Sequence, residues 1–299
     1  MKAIISTKNN IQLQQVVKPT PQDNEVLIKI HAATVTAGDV VLRSLPGFMY
    51  WTPVRKLIGM PPRKSTPGHE FAGEVEAVGK DVQQFKVGDA VFGTTTGLTV
   101  GANAEYVTLP EEGETNVLAH KPSNLSYAEA AAIPVGAMTA LQILRRANIQ
   151  RGQRVMIYGA SGSVGTYAVQ LARYFGAEVI GVSSTRNIDM VKALGASKVI
   201  DYTQEDVTNL TETYDVIFDA VGKISESKMK HVLAPSGMFL TIRTSTHESQ
   251  DDFIFLKGLI EAGLIQPVID RCYPLEQTAE AYDYVASKRK KGNIVINVA

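Results

Sequence analysis

One stretch limits what this chain can become. Val155-Met156-Ile157-Tyr158 is a short apolar run that stops at Gly159-Ala160-Ser161-Gly162-Ser163-Val164-Gly165, and Tyr167, Val169, Leu171, Ala172, Tyr174 and Phe175 then follow helical spacing. A buried strand, a glycine turn and a helix in that order leave backbone N–H groups free at the helix start, where the helix dipole also favours an anion. Glycines at 159 and 162 let the chain turn sharply and come close to a phosphate, and one at 165 lets the helix pack on the strand. The spacing is GxxGxxG rather than GxGxxG, so the heptapeptide alone reads equally as a turn whose glycines serve geometry only.

The next strand favours the phosphate. Glu178-Val179-Ile180-Gly181-Val182 ends in Ser183-Ser184-Thr185-Arg186-Asn187, with no acid before Asp189. An NAD site carries Asp or Glu there for the ribose 2′-hydroxyl, whereas an NADP site offers small hydroxyls and a cation for the 2′-phosphate. The loop therefore reads as an NADPH site; the alternative is Arg186 as a solvated loop charge.

Around this centre the chain changes character twice. Residues 1 to about 123 read as short strands between turns, with Val26–Ile30, Glu74–Val78 and the end of Val82–Gly93 as examples, which suggests a barrel-like β domain. From Ser44 through Pro67 the chain carries five prolines with Phe48, Met49, Tyr50 and Trp51 among them, a segment suited to a loop over a pocket or to aromatics anchored on the core. Ser126 caps a helix over 127–132 that Pro134 ends, and a second helix covers 138–147. Strands at 154–158, 178–182, 198–201, 215–218 and 237–241 then alternate with helices at 166–175, 187–194 and 226–233, which predicts a parallel doubly wound sheet with its ligand at the carboxyl ends of the strands. A helix over 252–263 follows. The tail returns to β character at 267–269 and 293–298 around a helix at 275–287. A domain of 1–123 and 266–299 interrupted by a nucleotide-binding domain of 124–265 accounts for that return.

Composition excludes other classes. At 299 residues, with 30 acidic and 30 basic side chains, no electrostatic case exists for nucleic acid or a membrane surface. The N-terminus lacks a signal-peptide core, and no apolar run spans a bilayer, so a cytoplasmic protein is expected. A single cysteine, Cys272, excludes an internal disulfide and any multi-cysteine zinc site, and reads as a buried or idle thiol.

Several signatures occur together and in order: Gly68-His69-Glu70-Phe71-Ala72-Gly73-Glu74-Val75-Glu76-Ala77-Val78-Gly79, the turn at 159–165, Val199-Ile200-Asp201-Tyr202, and Phe218-Asp219-Ala220-Val221-Gly222. Along nearly its whole length the chain resembles the medium-chain dehydrogenase/reductase superfamily, and within it the zinc-free quinone oxidoreductase branch. The resemblance implies an α/β protein with an N-terminal GroES-like β-barrel domain, rejoined by the C-terminal tail, and a Rossmann domain. It also implies hydride transfer from NADPH to a quinone, enone or related carbonyl acceptor. Zinc-dependent relatives bind the metal through a V-C-x-x-D cysteine, the GHE histidine and a later cysteine. Here Thr36 stands in Val35-Thr36-Ala37-Gly38-Asp39, His69 is kept, and no cysteine lies between Met1 and Arg271, so no zinc is expected. His69 then reads as a structural or pocket-lining residue.

The same resemblance implies the cofactor contacts. Thr36 and Thr139 fall at the nicotinamide end, Gly159, Ser161, Gly162, Ser163 and Val164 at the pyrophosphate, Ser183 and Arg186 at the 2′-phosphate, and Tyr202 at the adenosine. Val221 packs on the cofactor, Phe239–Thr241 approach the nicotinamide, and Asn293 closes the site from the tail. Thr36, Tyr50 and His69 are the candidates for lining or protonating the acceptor, with Arg43 or a water as substitutes. Segment 242–251 is shorter than in relatives, which insert there a strand that commonly joins two subunits; a homodimer is expected with that support removed. Two other readings stay open: an alcohol dehydrogenase or carbonyl reductase, and an NADPH-binding sensor or module without turnover.

Overall fold

The computed structural model describes residues 1–6, 10–45, 66–114 and 116–298. Tyr50 and most of the proline-rich segment lie outside the described residues. Two compact units are formed, one of Met1–Val135, Glu248–Lys257 and Ile269–Ala299, the other of Gly136–His247 and Gly258–Val268. The first takes in 124–135 and 248–257, which the sequence reading puts in the nucleotide-binding domain.

The first unit starts with an antiparallel hairpin of β1 (Lys2–Ser6) and β2 (Ile11–Gln15). There follow β3 (Glu25–Val35), α1 (Ala37–Ser44), β4 (Glu70–Val78), β5 (Ala90–Thr94), β6 (Tyr106–Pro110), β7 (Leu118–His120) and α2 (Tyr127–Ala131). β3 runs to 11 residues, well past the expected Ile30, because it is paired by β4 and β6 and, at its far end, by a strand from the tail. Pairing on both edges holds Ala32 and Ala33 in extended form although alanine has little strand preference of its own. Ile28, Ile30, Phe71, Val75, Leu109 and Ile294 are buried in its core.

After α2 comes α3 (Pro134–Arg145). Pro134 does not merely end a helix: it opens the next one, at the first position, where a missing N–H leaves nothing unsatisfied. The second unit then builds β8 (Arg154–Tyr158), α4 (Ser163–Tyr174), β9 (Glu178–Ser183), α5 (Ile188–Ala193), β10 (Lys198–Asp201), β11 (Tyr214–Asp219), α6 (Glu226–Met229) and β12 (Leu233–Thr241). The expected helix over 226–233 shrinks to four residues, because β12 begins early to pair with β11, Tyr214 opposite Leu233.

This sheet is parallel, in the order β10-β9-β8-β11-β12. The first strand lies in the middle, so the connections leave it in opposite directions and open a crevice at the carboxyl ends of β8 and β11. The sheet ends on β12, and no strand forms between Thr241 and Gln250, as the short segment there suggested. The chain finishes with α7 (Gln250–Glu261), β13 (Ile269–Pro274), α8 (Thr278–Ala286) and β14 (Asn293–Asn297). β14 lies antiparallel to β3, with Ile294 opposite Val35, so the tail does rejoin the N-terminal sheet. Cys272 is exposed on β13 rather than buried.

Candidate active site

In the second unit β8 ends at Tyr158, and the backbone turns at Gly159 with φ of +81°. A Cβ at 159 would stand 2.1 Å from Val221 Cγ2, and one at Gly165 would stand 2.1 Å from the Gly159 carbonyl oxygen. No side chain other than hydrogen fits either place. The cap of α4 is Gly162, which offers no side-chain acceptor to the N–H groups of the first turn. Within the turn the N–H groups of Gly159 and Ala160 donate to the Val182 carbonyl and that of Gly162 to the Gly159 carbonyl at 3.0 Å; Ser163 and Val164 follow in the first turn of α4, where the helix dipole favours an anion.

Val221 is 46% exposed. Its turn is held by Asp219, a buried carboxylate at the end of β11 that accepts from the N–H groups of Val221 at 3.0 Å, Gly222 at 2.9 Å and Ile224 at 2.9 Å. Thr139 lies half-buried in the second turn of α3.

At the end of β9, Ser183 is buried and its hydroxyl makes, among the described residues, one long bond of 3.4 Å to the Ser184 carbonyl. Arg186 is exposed on a single 3-10 turn, Thr185–Asn187. The Ser184 hydroxyl accepts from the buried Asn187 amide at 3.4 Å and keeps its own hydrogen for another acceptor. Thr185 differs from the serines: its hydroxyl donates to the Asp201 carboxylate, so it is not one of the free hydroxyls that the sequence reading counted. Tyr202 is 52% exposed and borders a cavity of about 320 Å³ that Tyr158, Gln204 and Val207 also line.

In the first unit Thr36 caps α1. Its hydroxyl accepts from the Asp39 N–H at 3.0 Å and donates to the Asp39 carboxylate at 2.6 Å, and its N–H donates to the same oxygen at 2.8 Å. The other Asp39 oxygen lies 2.5 Å from His69 Nδ1. Burial pushes the Asp39 carboxyl up, but the His69 ring, the Thr36 hydroxyl and the Thr36 N–H outweigh it and hold the group below its ordinary value. An ionised Asp39 accepts from Nδ1–H, which fixes the His69 tautomer and leaves Nε2 without a hydrogen bond among the described residues. Thr36, by contrast, has its one hydrogen committed to the cap.

Next along β4, Glu70 accepts from the Thr34 hydroxyl and from the Val135 N–H at 2.6 Å. Burial raises its carboxyl to about 7, against the pull of those two donors. Asn293 is buried at the start of β14, one residue before the Ile294–Val35 pair, which places it beside Thr36. Arg43 Nε, on α1, is buried with no hydrogen-bond partner among the described residues.

Asp39 and Asp219 were not read as functional in the sequence. Asp39 had a signal, the Thr36-x-x-Asp39 spacing of a capping box. The three N–H groups converging on Asp219 had none.

Residues 22–122 match the family model described as alcohol dehydrogenase GroES-like domain, and residues 163–263 and 243–296 match two models described as zinc-binding dehydrogenase. The 2-methylene-furan-3-one reductase of Solanum lycopersicum is 33% identical over 93% of this chain and 73% of its own length. The chloroplastic NADPH-dependent alkenal/one oxidoreductase of Arabidopsis thaliana is 29% identical over 94% of this chain and 74% of its own. Among solved structures, the quinone oxidoreductase of Coxiella burnetii superposes with a TM-score of 0.86 at 27% identity, covering 100% of this chain and 99% of that one. A GroES-like unit and a glycine cradle on a doubly wound sheet define an oxidoreductase that works with a nicotinamide cofactor. The chain belongs to the medium-chain dehydrogenase/reductase superfamily.

Proposed function

We propose that this protein is a zinc-independent reductase that uses NADPH and passes its hydride to a quinone, an enone or a related carbonyl compound. The observation that carries the reading is the donor set around His69. Where zinc-dependent relatives have a thiolate, Thr36 caps a helix with its hydroxyl committed to Asp39, and the sole cysteine is exposed on β13, so His69 lacks the thiolate partners of that site. Among the described residues no three His, Cys, Asp or Glu side chains are grouped to hold a metal. Zinc does not fit this donor set. Quinones and enones delocalise the charge that builds on oxygen, so a donor of ordinary strength suffices in place of a Lewis acid.

In the second unit Gly159, Ser161, Gly162, Ser163 and Val164 would hold the pyrophosphate of NADPH, Ser183 and Arg186 its 2′-phosphate, and Tyr202 its adenosine. Bound there, the cofactor supplies the hydride. Val221 keeps the assignment of packing on the cofactor, and Thr139 the place at the nicotinamide end, that the resemblance gives them. In the first unit the protonation step is assigned to His69 as an imidazolium, whose Nε2–H would give the proton while Asp39 keeps Nδ1–H and leaves the ring neutral afterwards; Thr36 and Asn293 keep their assignment to the cofactor.

The test follows NADPH and NADH oxidation with a simple quinone and an α,β-unsaturated ketone, with and without chelator, for the wild type and Arg186→Ala. Chelator-resistant turnover that prefers NADPH, with the preference lost in the variant, supports the proposal. Activity on simple alcohols that chelator abolishes would establish a metal-dependent alcohol dehydrogenase instead. NADPH binding with no turnover on either acceptor would establish a binding module.

A further inference from the structure

Asp201 ends β10 directly beside Ser183 in the parallel register, and the Tyr202 N–H donates to the Ser183 carbonyl at 3.1 Å. Its carboxylate takes three donors from the chain itself. One oxygen accepts from the Thr203 N–H at 2.9 Å and the Thr203 hydroxyl at 2.7 Å, and the other accepts from the Thr185 hydroxyl. The two threonine hydroxyls stand 3.0 Å apart, so the ends of β9 and β10 are joined by one small polar network.

Two consequences follow from those partners. An acid in this position takes a ribose 2′-hydroxyl, a hydrogen donor, through its lone pairs, and three intrachain donors already use three of the roughly four that Asp201 has. Second, Thr185 is the first residue of the 3-10 turn that carries Arg186, so its hydroxyl bond to Asp201 fixes where that turn begins. Thr185 and then Thr203 hold the Asp201 carboxyl below its ordinary value, so it keeps its charge, and its grip on Thr185, across the neutral range.

We infer that Asp201 is a positioning residue for cofactor choice: through the Thr185 hydroxyl it fixes the Thr185–Asn187 turn so that Arg186 meets the 2′-phosphate. The inference rests on the NADPH reading above. It runs against the plain electrostatic expectation, since a carboxylate close to a phosphate should repel it.

Calorimetric binding of NADPH, NADH and 2′,5′-ADP to the wild type, Asp201→Asn, Thr185→Val, Thr185→Ser and Arg186→Ala separates the two. Asp201→Asn and Thr185→Val should each weaken NADPH and 2′,5′-ADP about tenfold, the scale of one lost charge-assisted hydrogen bond, with NADH changed less than about twofold. Thr185→Ser, which keeps the hydroxyl, should retain wild-type affinity. The NADH affinity also reports that each variant is folded. If Asp201→Asn tightens NADPH, Asp201 acts as a repelling charge and the inference is overturned; unchanged NADPH affinity in Thr185→Val overturns it too. Loss of NADPH preference in Arg186→Ala alone would leave the NADPH reading standing while the role of Asp201 falls. A wild type that binds NADH as tightly as NADPH removes both.

Discussion

His69 Nδ1 lies 2.5 Å from a carboxylate oxygen of the buried Asp39, although the two residues are 30 positions apart in the chain. The same carboxylate caps α1 through Thr36, so one side chain orients the imidazole and anchors the helix below it. Replacing Asp39 by Asn should therefore have two separable effects. An asparagine has one acceptor oxygen where Asp39 uses two, so either the capping box or the His69 Nδ1–H loses its partner and the fold should be destabilised by about 1 kcal/mol. Turnover with an α,β-unsaturated ketone should fall at least tenfold, and His69→Ala should lower it by about 100-fold, within the usual range for a general acid. The double variant should be no slower than His69→Ala, because Asp39 acts through the ring. Steady-state kinetics decide the matter, and wild-type turnover in His69→Ala removes the histidine from the proton-donor role.

Glu70 gives a pH signature. Its carboxyl titrates at about 7 in the fold, raised by burial from 4.5, with Asp39 adding to the shift and the Thr34, Val135 and His69 partners opposing it. Between those two values the unfolded chain has released its proton and the native chain has not. Stability should then fall by up to about 1.4 kcal/mol per pH unit over that window and level off above it. Lys290, whose ammonium burial lowers to about 8, also feels the charge of Glu70 and stays protonated through the same window. Urea titrations at several pH values should show this decline for the wild type and a flatter profile for Glu70→Gln. A profile unchanged by the substitution would show that other groups set it.

Gly159 should tolerate no side chain, for two reasons that can be told apart. Alanine there would clash with Val221 Cγ2 and would also sit at φ of +81°. The left-handed backbone alone should destabilise by roughly 1–2 kcal/mol. Val221→Ala added to Gly159→Ala should relieve the clash while the backbone strain persists, so the melting temperature should recover only in part. Nicotinamide cofactor binding should be lost in the single variant. Full recovery in the double variant would mean that the conformation of residue 159 carries no penalty.

Much of this architecture is legible in the chain as written. The apolar run into Gly159 and the helical spacing after it predict β8 and α4 closely, and the β character of 293–298 correctly returns the tail to the first sheet. These features rest on local periodicity and on residues whose backbone freedom differs from all others, so they need no distant partner. The failures have the opposite character. Pro134 was read as a stop because nothing nearby says that a second helix begins on it. Alanines in β3 were left out because only strands on both of its edges make them extended.

The polar partners lay furthest from view. Thr185 and Arg186 are adjacent in sequence and look alike as phosphate donors, yet the parallel register of β9 and β10 delivers Asp201 to the threonine and takes its hydroxyl out of use. Glu70 meets the Val135 N–H across 65 residues, and Asp39 meets His69 because α1 and β4 are brought together by a sheet in which β3 and β4 are neighbours. The sequence by itself determined the elements and the cradle, since short-range sterics and spacing decide those. Which carboxylate is ionised, which hydroxyl still has a hydrogen to give and which ring nitrogen is tied to a carboxylate were decided by tertiary structure alone, because a buried polar group takes its state from the partners that the fold sets against it.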